Sequence, residues 1–489
     1  MEIEEGLSIK NPDILFVIPP VLRFLGKSSE SFPLGLGSMV SCLKANGISA
    51  LIYNSDICKA TRRKMWYWPA RKQFEGIHTS FAKSWPRYDS AVKNKKNDGW
   101  REIRSVLEVT HPRIVGISSR VVDIPSSFAL AQLAKEILPE TRVIVGGPSA
   151  ITCSDYLMKC RAIDCLVLGE GENTIVELAG FLLGRAKNKR LGDIDGICYR
   201  DAETGQTVRS NPRSLIANID QIPFPDRESM FFVDEQQRIK RMNAFADVLT
   251  SRGCPYPCMF CCAHAAWGTK KPRLRSVENV IEELKILHRH YQQKFFIFWD
   301  DLFTYDRKRA IHLCRRIIEE NLKISWLCLV RINTLDAELL EIMKEAGCIE
   351  IQIGIESGSN RILKLIKKSL TIEMIKSAVP LIKNSGIKWR IFLMIGFPTE
   401  TEKEIAETIG LVDELNPDFV DLGIFAPYPG TPIHEELKAQ GLLGDSFMKS
   451  DMYNPEINFT GTISKKVFRK IAMDGFALVD QHNERAYRS

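Results

Sequence analysis

Three cysteines carry the sharpest chemical signal in this chain. Cys254, Cys258 and Cys261 form a CxxxCxxC within Thr250-Ser251-Arg252-Gly253-Cys254-Pro255-Tyr256-Pro257-Cys258-Met259-Phe260-Cys261-Cys262. Three thiolates this close can bind one iron–sulfur cluster, for which cysteine is the usual ligand. Pro255 and Pro257 forbid a helix through the loop and hold it wrapped, while Gly253 relaxes its entry. A 4Fe–4S cluster takes four ligands, so three from the protein leave one iron open. Cys262 is poorly placed to complete the same cluster and reads as packing. The alternative is structural zinc, which takes four ligands in paired CxxC or Cys/His blocks. His264 is nearby, but no second block follows.

The elements around the cysteines read as two halves. In the first, short apolar runs at 13–18, 50–53, 114–119, 143–147 and 165–169 alternate with helical patterns. One helix is marked by Ala129, Leu130, Leu133, Ala134, Ile137 and Leu138 at helical spacing. Strands separated by helices imply an α/β fold with a doubly wound parallel sheet, Rossmann-like, over residues 1–190. Ligands of such sheets bind beyond the carboxyl ends of the strands. There the chain places Ser118-Ser119, Gly146-Gly147-Pro148 and Gly169-Glu170-Gly171. No GxGxxG follows the first strand, which excludes a nicotinamide site. The stretch 61–97, with Trp66, Tyr67 and Trp68, reads as a functional insertion. Residues 191–240 read as a connector with a small hairpin and a proline-fixed boundary at 222–226.

The second half, 241–440, repeats strand then helix about six times, with strands at 246–249, 295–299, 326–330, 349–353, 389–395 and 419–425. Six units close into a partial (β/α)6 barrel of the TIM type, whose chemistry sits at the carboxyl ends of the strands. The cysteine loop follows the first of them. A C-terminal helical tail occupies 441–489.

Composition bounds the partners. The chain is 45% hydrophobic with a net charge of +7 over 489 residues. That excess is too mild and dispersed for a nucleic-acid partner; the runs 62–64 and 93–96 read as solvated surface. No apolar stretch reaches the roughly 20 residues of a membrane span, and the polar N-terminus lacks a signal layout, so a cytoplasmic protein is expected. In a reducing compartment, cysteines are for metal or redox chemistry. Cys42, Cys58, Cys153, Cys160, Cys165, Cys198, Cys314, Cys328 and Cys348 read as small core hydrophobes.

These motifs together resemble the radical S-adenosylmethionine (SAM) enzymes, in the class with an N-terminal cobalamin-binding domain. CxxxCxxC after the first barrel strand is that superfamily's defining motif. Residues 298–303 look like the acidic motif that receives the amino group of SAM, through Asp300 or Asp301. Residues 354–359 resemble the strand-four motif whose glutamate, here Glu356 beside Ser357, faces the ribose. Residues 394–400 resemble the segment lining the adenine, with Met394 and Gly396. Residues 427–432 look like the motif after strand six. In the first half, Pro33 and Leu34, with the three strand-end segments above, resemble recurring cobalamin-associated segments. No DxHxxG supplies a lower axial histidine; the aromatic run at 66–68 is a candidate cover, core or interface being the plainer reading.

The resemblance implies that the reduced cluster cleaves SAM to a 5′-deoxyadenosyl radical, which takes hydrogen from an unactivated carbon, and that methylcobalamin then delivers a methyl group. An electron donor such as flavodoxin or ferredoxin is implied as partner. Independently of the family, Glu356 ends an apolar strand, where an unpaired carboxylate is costly, so it is expected to face a ligand. The acidic pair admits a plainer reading as the first turn of the next helix. Arg331 suits either the methionine carboxylate or a structural salt bridge. Tyr428 reads as packing. Three functions compete: methylation of carbon or phosphorus on a small molecule or lipid, cyclisation or rearrangement without methyl transfer, and a non-catalytic cobalamin-binding regulator with structural zinc.

Overall fold

The structure is a computed structural model, described here for residues 11–27, 31–57, 77–186, 189–233, 246–443 and 451–488. The aromatic run Trp66-Tyr67-Trp68, the basic run 62–64 and Cys58 lie outside the described residues. Two compact units emerge, the first built from 1–62, 86–242 and 265–268, the second from 63–85, 243–264 and 269–489.

The first unit is organised by one sheet of eight strands: β1 (Ile14–Ile18), β2 (Ala50–Asn54), β3 (Ile114–Ser118), β4 (Arg142–Gly146), β5 (Cys165–Val167), β6 (Ile197–Arg200), β7 (Thr207–Arg209) and β8 (Met230–Phe231). Their spatial order is β7-β6-β5-β4-β3-β1-β2-β8. The ladders from β5 through β3 and β1 to β2 and β8 are parallel; β6 and β7 add an antiparallel edge. β1 to β3 are near-continuously apolar because helices cover both faces of a parallel sheet. The segment expected to be a connector therefore contributes β6 and β7 to one edge of this sheet and β8 to the other. The order reverses about β1, whose neighbours are β2 and β3, and such a switch point opens a crevice at the carboxyl ends.

The second unit holds β9 (Ala246–Val248), a small ladder of β10 (Ser251–Arg252) with β11 (Arg273–Leu274), then β12 (Phe295–Phe298), β13 (Ser325–Val330), β14 (Cys348–Glu356), β15 (Lys388–Ile395) and β16 (Phe419–Ile424). Six strands run parallel in the order β16-β15-β14-β13-β12-β9, the partial barrel expected. Local chemistry starts seven of its helices. Ser276, Asp306, Asp336, Ser359, Thr371, Thr401 and Thr431 each cap a helix by accepting from a backbone amide of its first turn. Strand alternation then separates two faces. Ile351, Ile353, Trp389, Ile391, Val420 and Leu422 join the apolar core with the helices. Glu350, Gln352, Arg390 and Asp421 stand at the alternate positions, buried as well, with Arg390 paired to Glu350 at 3.0 Å.

Residues 77–85 group with this second unit although the sequence places them in the first half. The cause is a buried charge cluster: His78 lies between Asp480 at 2.8 Å and Asp421 at 3.2 Å. Asp480, from the C-terminal helix Lys465–Arg488, also accepts from the backbone amides of His78 and Thr79 at the start of the helix Ile77–Lys93. A carboxylate at that end satisfies unpaired donors and the helix dipole together.

Candidate active site

The cysteine loop leaves β10 at Gly253 and is tied at several points. Met259 donates its amide to Ile366 O at 2.9 Å, and Ile433 N donates to Met259 O at 3.1 Å. Cys258 is buried, Cys254 and Cys261 are half-buried, and Cys262 is exposed, correcting its reading as packing. Burial pushes the Cys254 thiol up and that of Cys261 up to about 12. Thiols ligate as thiolates, so metal binding must displace their protons. Nε2 of His264 is engaged with Cys254 O at 2.7 Å, the contact by which a histidine ring is held in one orientation. Among the described residues, no three His, Cys, Asp or Glu side chains converge on a single ion. Cys254, Cys258 and Cys261 around one short loop fit a cluster that keeps one iron open.

The flanking residues depart in part from expectation. Asp300 is fully buried and accepts from Thr250 N at 2.9 Å and from the hydroxyls of Thr250 and Ser251. It braces the chain entering the cysteine loop, and these donors engage both of its oxygens. Asp301 is exposed and its Oδ2 accepts from Gly253 N at 3.1 Å. Glu356 was expected to face a ligand; Lys368 Nζ meets its Oε1 at 2.7 Å, with both side chains under a tenth exposed. Arg331 forms no salt bridge among the described residues. Its guanidinium lies 3.7 Å from the Tyr256 ring centroid, donates to Lys368 O, and reaches Cys258 Sγ at 3.6 Å. Ser357 is buried and hydrogen-bonded to Thr408 Oγ1 and Ser359 N, so its side chain is spent within the fold. Met394 is half-buried.

Gly396 N and Phe397 N both donate to Glu400 Oε2, at 2.6 and 3.0 Å. The other oxygen, Oε1, is buried with no partner among the described residues. Burial pushes the Glu400 carboxyl up to about 8. An orphaned buried carboxyl oxygen in the loop after β15 fits a polar ligand there. Lys368, Glu400 and Tyr256 escaped the sequence reading. Glu400 closed the quoted 394–400 segment, while Lys368 stood outside every quoted motif.

In the first unit the strand-end loops are tightly built. Pro33 caps the helix Leu34–Ala45, whose first residue is Leu34. Ser118 closes β3, and buried Ser119 donates its amide to Gly146 O at 2.9 Å. Gly147, at φ +91, is exposed beside exposed Pro148, and a Cβ there would lie 2.8 Å from Ser119 O. Glu170 accepts from Ile216 N, and Gly171 starts the helix Gly171–Leu182 against Met39. Gly169, at φ +77, is exposed with open space where a Cβ would sit. Small exposed residues at adjoining strand ends fit a broad, flat ligand. The unit's one histidine, His111, caps the helix Asp98–Thr110 ahead of β3, so no histidine stands at these ends.

Comparison with known proteins agrees with this construction. The Radical SAM superfamily signature matches residues 248–412, and the B12 binding domain signature matches 89–179. An uncharacterised methyltransferase of Pyrococcus horikoshii is 38% identical over 344 residues, 70% of this chain and 73% of that protein. The anaerobic magnesium-protoporphyrin IX monomethyl ester cyclase of Rubrivivax gelatinosus is 28% identical over 345 residues, covering 69% of this chain and 60% of the cyclase. Among solved structures, the radical SAM methyltransferase TsrM of Kitasatospora setae, with cobalamin and a 4Fe–4S cluster bound, aligns with a TM-score of 0.62 at 16% identity. That match covers 88% of this chain and 75% of TsrM, a likeness of fold. The chain belongs to the cobalamin-dependent radical SAM methyltransferase family, whose cofactors are a 4Fe–4S cluster, SAM and cobalamin. No described helix is long and apolar enough to cross a membrane.

Proposed function

We propose that this enzyme methylates an unactivated carbon or a phosphorus of a small-molecule or lipid substrate. The observation that carries the reading is the three-cysteine loop at the carboxyl end of β9 and β10, in a chain whose other half is a B12-binding sheet. Cys254, Cys258 and Cys261 would hold the cluster. Asp301, Glu356 and the backbone of 394–400 would bind SAM, and Gly146-Gly147-Pro148 with Gly169-Glu170-Gly171 would hold the corrin. When bound, the three groups supply radical formation and a methyl carrier; the protein supplies placement and exclusion of water.

The chain's own residues support that division of labour. Asp300 fixes the entry to the cysteine loop, and Arg331 places a cation beside Cys258. The buried Glu350–Arg390 pair and Asp421 line the sheet face opposite the apolar core, where a polar substrate could be oriented. A small one-electron carrier, of the flavodoxin or ferredoxin kind, would reduce the cluster, and a cytoplasmic location suits oxygen-sensitive iron.

Anaerobic reconstitution tests the reading. Iron, sulfide and corrin should bind together, Cys258→Ala should lose iron and sulfide, and labelled SAM should pass its methyl group to product. Zinc without sulfide overturns it. The similarity to the Rubrivivax cyclase keeps a second reading, ring closure without methyl transfer, which predicts cofactor loading but no label in the product.

A further inference from the structure

Lys368 is buried, positively charged and absent from any role given so far. Three features show that its place is built. First, its neighbours Lys367 and Ser369 take φ values of +51 and +56, so the backbone is held left-handed on both sides of it. Second, its partner Glu356 is also left-handed, at φ +73, where the β14–β15 ladder skips a residue between Gly354 and Glu356. Such irregularities re-aim side chains and persist only when the surroundings hold them. Third, a Cβ on Gly354 would lie 2.4 Å from Glu356 Oε1 and 2.8 Å from Lys368 Nζ. Glycine at 354 is what makes room for the pair.

The pair is also joined to the cysteine loop. Lys368 O accepts from Arg331, whose other terminal nitrogen reaches Cys258 Sγ. Lys368 Nζ lies 6.0 Å from the ring centroid of Phe260, between Cys258 and Cys261. A buried ion pair held by strained backbone adds little net stability, because desolvation of both charges offsets their attraction. Its worth lies in fixing an orientation.

We propose that Lys368 is a positioning residue that acts through Glu356: it holds that carboxylate aimed as an acceptor for the hydroxyl groups of SAM. This rests on the reading of the site as a SAM site. The surrounding geometry spends both charges locally, so the acceptor is set before the ligand arrives and loses no freedom on binding it.

The test measures SAM affinity by equilibrium dialysis on the full chain with its cluster reconstituted, alongside iron and sulfide content. Lys368→Met should weaken SAM binding roughly ten- to a hundredfold, the scale of a lost charge-assisted hydrogen bond, with iron and sulfide unchanged. Lys368→Arg should recover part of that loss. In a Glu356→Gln background, Lys368→Met should have no further effect, because Lys368 acts only through Glu356. Additive losses would overturn the proposal by showing that Lys368 touches SAM directly; so would wild-type affinity in Lys368→Met. Failure of the cluster-loaded wild type to bind SAM would instead refute the reading of the site.

Discussion

The charge cluster around His78 makes a quantitative prediction. Burial by itself would depress the histidine, but hydrogen bonds and attraction from Asp421 and Asp480 outweigh it and raise its pKa from 6.5 to about 9. Both carboxyls are held below their usual range by the same histidine, after allowing for burial. Tyr453 donates to Asp421 at 2.8 Å, and Arg390 adds a further attraction to it. A proton bound more tightly in the folded state stabilises it fully below pH 6.5, and that contribution disappears as pH rises through 9. Linkage between the two values gives about 3 kcal/mol below pH 6.5 and about 2.5 kcal/mol at pH 7. Calorimetric unfolding of wild type and His78→Gln from pH 6 to 10 reads this directly. The variant should be destabilised at pH 6 to 7, and the difference should shrink as pH approaches 10. Asp480→Asn should flatten the same profile, since it removes one of the two charges that hold the proton. A wild-type-to-variant difference independent of pH would refute the argument, because it would mean that His78 contributes by packing alone.

Other outcomes follow from the two sites. Glu400 carries a proton to about pH 8 in the folded chain, so it favours the fold at low pH and disfavours it as pH rises from 4.5 through 8; Glu400→Gln should remove that decline in a pH series of thermal unfolding. Arg331→Met removes a hydrogen-bond donor from Cys258 Sγ and should move the cluster's reduction potential downward in a spectroscopically monitored redox titration; an unchanged potential would place Arg331 outside the cluster's field. Gly147→Ala forces a side chain into a conformation that only glycine adopts freely, against Ser119 O, and should cost about 1–3 kcal/mol of the first unit's stability together with corrin retention.

The order of elements and the cysteine loop were legible along the chain because both are local. Continuous apolar runs mark buried parallel strands, a helical period marks the elements between them, and CxxxCxxC with two prolines states its chemistry within eight residues. The six strands of the second sheet and the first five of the other fall where the apolar runs stand. Helix starts are local as well, since one side chain three residues upstream of an amide suffices to cap it.

What a carboxylate does is not local, and here only the fold decides. Asp300 and Asp301 are chemically identical neighbours, yet one is buried against Thr250 and Ser251 and the other is exposed. Glu356 is paired with a lysine twelve residues away that no local pattern singles out. His78 draws its charge from residues more than 340 positions distant. The sequence determined which groups could bind a cluster, SAM and a corrin. The tertiary structure decided which of them are consumed in holding the fold and which remain turned outward, because the worth of a charge depends on burial and partners that only the folded chain assembles.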